Sequence, residues 1–368
     1  MKKTAVVLFN LGGPDSKESI RPFLFNFFMD KNIIPAPLPL RWFVATMIAS
    51  RRAKREAGTS YSELGNKSPL LENSRAQAVL LEQTLNKLGG ANFKTFVAMR
   101  YWHPMAAEIA RDVQNWYPDQ IILLPLYPQF STTTTWSSLG AWEKAVREID
   151  LRMPTASICC YPFNEGFIRA STDNIRKQYE QACADGHASP RILFSAHGLP
   201  ESVIAGGDPY QWQCEQTAEK IVNELKHVLG IENPDWAICY QSRVGPKKWI
   251  GPSTENEIRR AAADKKPVII YPHAFTQEHV ETLVELDIEY REIAHEAGMP
   301  DYYRAATVST HPEFINGLAS LVRARLENSS VKHGAKTEND KMICPENFSR
   351  CCMRAQDFSF HATGTTGP

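Results

Sequence analysis

His279, Glu281, Glu285 and Glu289 lie close together in the chain, and the three glutamates recur every four residues. On an α-helix that spacing stacks three carboxylates on one stripe, beside a second stripe of Val280, Val284 and Ile288. No Lys or Arg stands four residues from Glu281 or Glu285. Like charges at that spacing cost an isolated helix a few tenths of a kcal/mol per pair. A bound cation or shared protons would account for such a row; a solvated acidic face is the plainer alternative. Imidazole and carboxylate together suit metals of the Fe(II) class, which gives His279 a chemical reason to stand at the head of the row.

A second reactive candidate is His197, in Ser195-Ala196-His197-Gly198-Leu199-Pro200. It falls just past a short apolar run, where an open parallel sheet presents ligand-binding groups. Gly198 and Pro200 then dictate an unusual backbone. The stretches Asn10-Leu11-Gly12-Gly13-Pro14 and Gln241-Ser242-Arg243-Val244-Gly245-Pro246 close two further strands in the same way. None is a GxGxxG or a P-loop, so a dinucleotide is weakly supported. His103, before Pro104, has a stronger case for a structural role, and His273, after Pro272, is open.

These residues need elements to hold them. Expected strands cover 5–9, 94–99, 120–125, 156–161, 191–195, 237–241, 267–271 and 305–308. Expected helices cover 16–30, 70–87, 104–117, 134–148, 167–184, 210–229, 253–264, 277–297 and 311–326. Strands alternating with helices predict parallel βαβ units, and apolar runs such as Ile121 to Leu124 predict sheets covered on both faces. The polar stretch from Asp185 to Pro190 marks a break. The predicted organisation is an α/β domain over 1–185, a second over 186–328 and a polar tail over 329–368, ordered only where something ties it down.

The chain has 368 residues, 41 basic and 41 acidic, so its formal net charge is zero. With no block of like charge, nucleic acid is excluded as an expected partner. The first residues imitate a signal peptide only faintly, because Asn10 ends the apolar run. Residues 33–50 are apolar but carry Pro35, Pro37, Pro39 and Arg41, so no membrane span is expected. The expectation is a cytoplasmic protein whose eight cysteines form no disulfides.

Six stretches coincide, in order, with one family: residues 10–14, Leu126-Tyr127-Pro128-Gln129-Phe130-Ser131, Phe194 to Pro200, Gly207-Asp208-Pro209-Tyr210, Gln241 to Pro246 with Trp249 and Pro252, and Phe275 to Tyr290. Over about residues 4–326 the chain resembles the ferrochelatases, which insert Fe(II) into protoporphyrin IX to make protohaem. The resemblance implies two Rossmann-like, chelatase-type α/β domains with the active-site cleft between them. The last helix, 311–326, could pack back on the first domain. It also implies His197 as the base that takes a pyrrole proton and, with Glu281, as a metal ligand. His279 joins them as a catalytic residue, and Glu278, Glu285 and Glu289 form a relay for protons or metal. Asn10, Leu11, Tyr101, Phe130 and Trp249 are the candidates to hold the macrocycle. Gln277-Glu278 departs from the family's usual Ser-Asp or Ala-Asp but keeps the acid.

Residues 31–55 are expected to form a lip over the cleft, with Trp42, Phe43 and Ile48 beside Arg51, Arg52, Lys54 and Arg55. Basic and apolar residues side by side could touch an anionic membrane at the inner face, and a homodimer is also open. Some ferrochelatases hold a [2Fe–2S] cluster on three tail cysteines and one internal one. Cys344, Cys351 and Cys352, with Cys159 or Cys160, are the corresponding set, Cys160 being preferred. Asn347 stands where the common tail has its second cysteine, so unused thiols are the alternative. Two rivals remain at this level: a chelatase for coproporphyrin or for cobalt, and a non-catalytic porphyrin or haem carrier. The carrier has no need of a proton-abstracting pair such as His197 and Glu281.

Overall fold

The computed structural model describes residues 2–56, 60–243, 247–327, 335–336 and 341–354. Val244, Gly245 and Pro246, the Arg55 side chain and most of the tail thus lie outside the described residues. Among the described residues nine strands follow in chain order: β1 (Lys3–Asn10), β2 (Asn92–Met99), β3 (Gln120–Pro125), β4 (Thr155–Ile158), β5 (Arg191–His197), β6 (Trp236–Gln241), β7 (Val268–Tyr271), β8 (Tyr302–Arg304) and β9 (Ala335–Lys336). They form two wholly parallel sheets, ordered β2-β1-β3-β4-β9 and β6-β5-β7-β8.

β1 is an inner strand of the first sheet, hydrogen-bonded to β2 and β3, and residues Thr4 to Asn10 are all buried. Its alternate residues Ala5, Val7 and Phe9 face the helices Ala106–Trp116 and Thr135–Glu148, packing with Ile109, Val113, Leu139 and Trp142. A strand covered on both faces reads as a continuous apolar run, as this one does. The second sheet is centred on β5, with Leu193, Ile258, Val268, Ile270 and Leu286 in one cluster. Both sheets therefore confirm the expected parallel α/β architecture.

The first unit comprises residues 1–161 with 318–343 and 351–368; the second comprises 162–317 with 344–350. The expected division at 185 differs by one helix. Glu165–Ala184 packs on the second sheet, where the Tyr271 hydroxyl donates to Ser171 Oγ at 2.7 Å. The final helix, Pro312–Glu327, starts in the second unit, with Phe314 edge-on to Phe167 at 6.0 Å, and from Leu318 onward counts with the first.

Two elements depart from expectation. The strand near residue 305 is β8, three residues earlier; Ala305 and Val308 are buried but leave the sheet after Arg304. The helix expected over 277–297 is broken into Val280–Leu283, a π-helical turn Glu285–Glu289, and Tyr290–Glu296. At the strand ends, Gly12 takes φ +86°, and a Cβ there would meet Trp102 N at 3.1 Å. That turn needs glycine on both counts. It lets Asn10 and Leu11 accept from the N–H groups of Arg100 and Tyr101.

Residues Leu38–Glu56 form one helix that leaves Leu38, Leu40, Trp42, Phe43 and Met47 exposed. Among the described residues no helix is long and apolar enough to cross a membrane.

Candidate functional site

His197 is the last residue of β5 and His279 caps the short helix Val280–Leu283, so both imidazoles stand at the carboxyl edge of the second sheet. Glu281 lies between them. Its Oε1 is 3.6 Å from His197 Nε2 and its Oε2 is 3.7 Å from His279 Nε2. The side chains of His197 and Glu281 are about one-third exposed, at 34% and 31%, so a substrate can reach them. His279 is buried, with the Phe275 ring 4.8 Å away.

The backbone fixes the chemistry of His197. Its Nδ1 lies 2.6 Å from the Gly198 carbonyl, which can only accept, so Nδ1 carries the proton. Nε2 of the neutral ring is then the lone pair, and it faces Glu281. Gly198 must be small here, since a Cβ would meet Gln241 O at 2.9 Å and Trp249 Cε3 at 3.3 Å. Burial holds the His279 imidazole below its usual proton affinity, against the pull of Glu281 and Glu278. A neutral imidazole is the ligand form. Its Nδ1 is buried and makes no hydrogen bond among the described residues, while Nε2 is the nitrogen that faces Glu281.

The acid row is not a simple helical stripe. In the π-helical turn the N–H groups of Glu289 and Tyr290 reach back five residues, to Val284 O and Glu285 O. One extra residue in the turn shifts everything after it. Leu286 and Tyr290 are buried, while Ile288 and Glu289 are exposed. The expected apolar stripe of Val280, Val284 and Ile288 therefore holds only at Val284, and Glu289 is turned to solvent.

Glu285 is turned inward into a cage of donors. Its Oε1 accepts from Ser242 N at 2.7 Å and from the Tyr290 hydroxyl at 2.8 Å. Its Oε2 accepts from Ser242 Oγ at 2.5 Å and Gln241 Nε2 at 3.1 Å. Burial raises its proton affinity above that of an ordinary carboxylate, and the charge of Glu281 adds to this; the bonds from Ser242 and Tyr290 only partly oppose it. Glu278 is engaged elsewhere. It pairs with Arg304 at 2.7 Å and accepts from Thr307 N at 2.8 Å, while Arg304 also binds Asp287 at 2.8 Å.

Burial alone would raise the Glu278 pKa, but the Arg304 charge and hydrogen bonds hold it below 4.5. A depressed carboxylate stabilises the fold above its unfolded pKa, and that stability is lost as pH falls through the lower folded value. Arg304→Met takes the cation away from two mostly buried carboxylates, Glu278 and Asp287. We expect it to cost about 3 kcal/mol at neutral pH, with the deficit shrinking towards pH 4 as the acids protonate. Urea midpoints at the two pH values check this; an equal deficit at both would contradict it.

The macrocycle candidates are placed less evenly. Leu11 and Trp249 are partly exposed. Asn10 is buried, donating to Ser74 Oγ at 3.0 Å, and its Oδ1 accepts from Leu11 N. Tyr101 and Phe130 are fully enclosed in the first unit, where the Tyr101 hydroxyl donates to Asp30 at 2.7 Å. These two present no ring face to a ligand. His273 is fully buried, edge-on to Phe194, and burial pushes its pKa down to about 3. His103 is exposed and pairs with Glu108 at 2.7 Å.

The tail corrects one expectation. β9 pairs with β4, and the chain returns so that Cys352 forms a disulfide with Cys159, contrary to the expectation of free thiols. The cluster set Cys160, Cys344, Cys351 and Cys352 is wholly buried, but Cys352 is already bonded. Among the described residues no group of three or more His, Cys, Asp or Glu is placed to hold a metal ion, neither in the tail nor at Glu281, which pairs separately with His197 and with His279. Cys344 Sγ accepts from Gln213 Nε2 at 3.2 Å, and Phe348 packs on Trp212 at 5.9 Å. These contacts tie residues 344–350 to the second unit.

Sequence reasoning missed the side chains of Gln241, Ser242, Tyr290 and Arg304. Gln241 and Ser242 stood in a quoted motif at a strand end, which was the available signal.

Residues 3–326 match the sequence family model described as Ferrochelatase. A Ferrochelatase of Caulobacter vibrioides is 51% identical over 354 residues, covering 96% of this chain and 98% of its own. A Ferrochelatase of Hyphomonas neptunium is 46% identical over 354 residues, covering 95% and 94%. Among solved structures, SirB from Bacillus subtilis with Fe3+ aligns with a TM-score of 0.52 at 11% identity, over 90% of this chain and 98% of that one, a likeness of fold.

Proposed function

The chain belongs to the ferrochelatase family, and from that premise we propose how its residues insert Fe(II) into protoporphyrin IX, the step of haem synthesis that makes protohaem. The reaction consumes one Fe(II) and one free-base porphyrin and releases two pyrrole protons, so charge balances. It requires a base facing the macrocycle, a ligand set that replaces water on the metal, and a route for protons. The observation that carries the assignment is a single carboxylate, Glu281, set between two imidazoles at 3.6 and 3.7 Å.

In this reading Nε2 of His197 takes a pyrrole proton, as its fixed tautomer allows. Glu281 receives metal with His279, whose depressed proton affinity keeps its lone pair available near neutral pH. Each of the two pyrrole protons taken by His197 passes to Glu281, 3.6 Å from Nε2, and on to Glu285, whose raised proton affinity lets it hold one at a time before release to solvent past the exposed Glu289. Glu278 serves the fold through Arg304 rather than the relay. Leu11 and Trp249, both partly exposed, are the residues we propose to touch the macrocycle, whereas Asn10, Tyr101 and Phe130 are buried.

Anaerobic Fe(II) insertion into protoporphyrin IX, followed by absorbance, tests the assignment. Turnover supports it. Porphyrin binding without turnover favours a carrier, and turnover only with coproporphyrin or Co(II) favours the other chelatase.

The four buried thiols Cys160, Cys344, Cys351 and Cys352 carry the finer reading of the tail, a [2Fe–2S] cluster, only with Cys352 released from Cys159. Such a cluster would be a structural or electron-storing group outside the insertion step. Protein purified without oxygen is then expected to hold iron and acid-labile sulfide in equal amounts, both lost in Cys344→Ser. Absence of both leaves the tail as a disulfide-tied strap.

A further inference from the structure

We infer that Gln241 is the positioning residue that sets His197 and the acid segment in register, an inference that rests on the roles just proposed for His197, Glu281 and Glu285. Gln241 ends β6, fully buried, directly opposite His197 in the β5–β6 ladder. Its main-chain carbonyl accepts from Gly198 N at 2.9 Å, which pins the turn that fixes the His197 tautomer. Its side chain works in the other direction. Nε2 donates to Glu281 O at 2.9 Å and to Glu285 Oε2 at 3.1 Å.

The orientation of this amide is not free. Oε1 accepts from the Ser195 hydroxyl at 2.8 Å, and Ser195 Oγ lies 2.9 Å from Thr254 Oγ1. Ser195 spends its one proton on Gln241, so Thr254 donates to Ser195. The chain of donors runs Thr254, Ser195, Gln241, and ends on the two glutamates. Ser195 sits two residues before His197 on the same strand. One buried amide thus joins the base's strand to the main chain of the acid it faces. It also joins that strand to the carboxylate next along the row. The π-helical turn begins at Glu285, so its first residue is held from outside the helix, by Gln241 and Ser242.

Groups that orient ligands in this way typically cost 10–100-fold in activity or affinity when removed. Gln241→Met keeps the volume and removes every side-chain bond. We expect kcat for metal insertion to fall by about 10–100-fold, with the KM for porphyrin unchanged. Ser195→Ala, which only releases the amide, is expected to lower kcat several-fold at unchanged KM. The double variant is expected to be no worse than Gln241→Met, because Ser195 acts through Gln241.

Three results overturn the inference: Gln241→Met with wild-type kcat, equal losses of kcat, porphyrin binding and thermal midpoint, or additive effects in the double variant. If Gln241→Met does not fold, Ser195→Ala carries the test, and unchanged kcat there is contrary. His197→Ala and Glu281→Gln are measured alongside. Full activity in those two removes the underlying roles; their inactivity with a normal Gln241→Met removes only the role of Gln241.

Discussion

His197→Ala is expected to lower the rate of metal insertion by roughly 10²–10⁴-fold, the range associated with a lost general base, and to leave the KM for metal unchanged. Nδ1 is committed to the Gly198 carbonyl at 2.6 Å, so the variant removes one lone pair, at Nε2, and no fold-holding bond beyond that one. The side chain is one-third exposed, so the hole fills with water rather than collapsing. Porphyrin binding, followed by fluorescence quenching, is expected to persist. The prediction carries a distinctive control: an N-methylated porphyrin has no proton to lose at the methylated nitrogen and stays bound by the variant as by the wild type. Retention of more than about a tenth of the wild-type rate would be too small a loss for a general base and would move that role to another group.

Glu281→Gln is expected to lower insertion by about 10²–10³-fold, the scale of one lost electrostatic partner in a site, and here the KM for metal rises. The substitution preserves shape and the Gln241 bond to the main chain of residue 281, so the loss reports charge alone. Two neighbours report the same loss independently. The Glu281 charge raises the proton affinity of His279 and of Glu285, so both are expected to titrate lower in the variant. Carboxyl and imidazole NMR titrations read this without any turnover. A variant with normal metal KM and unmoved titrations would place the metal elsewhere. The contrast between the two variants, rate alone for His197 and metal dependence for Glu281, separates base from ligand.

Much of the candidate site is legible in the sequence. His197 was legible because it sits at the end of an apolar run, and strand ends in parallel sheets are where polar groups gather; His279 and Glu281 were legible from the row of acids they head. The row of acids was legible from its spacing, but its geometry was not. Periodicity assumes a constant turn, and the π-helical insertion at Glu285–Glu289 buries Leu286 and Tyr290 where the pattern had Ile288. Glu278 looked like a member of the row. Its partner Arg304 lies 26 residues away in the chain, across a connection that spacing cannot see.

The sequence by itself determined the parallel α/β architecture, the family, and the candidates for the reacting side chains, because these follow from local patterns and from motifs in order. Only the tertiary structure decided which acids face the histidines and which pair with Arg304. It alone buried Tyr101 and Phe130, joined Cys159 to Cys352, and placed the amide of Gln241 between His197's strand and Glu285. The physical reason is common to all of these. Burial and hydrogen-bond partnership are set by residues far apart in the chain, and they fix the charge, tautomer and direction of a group whose type the sequence had already named.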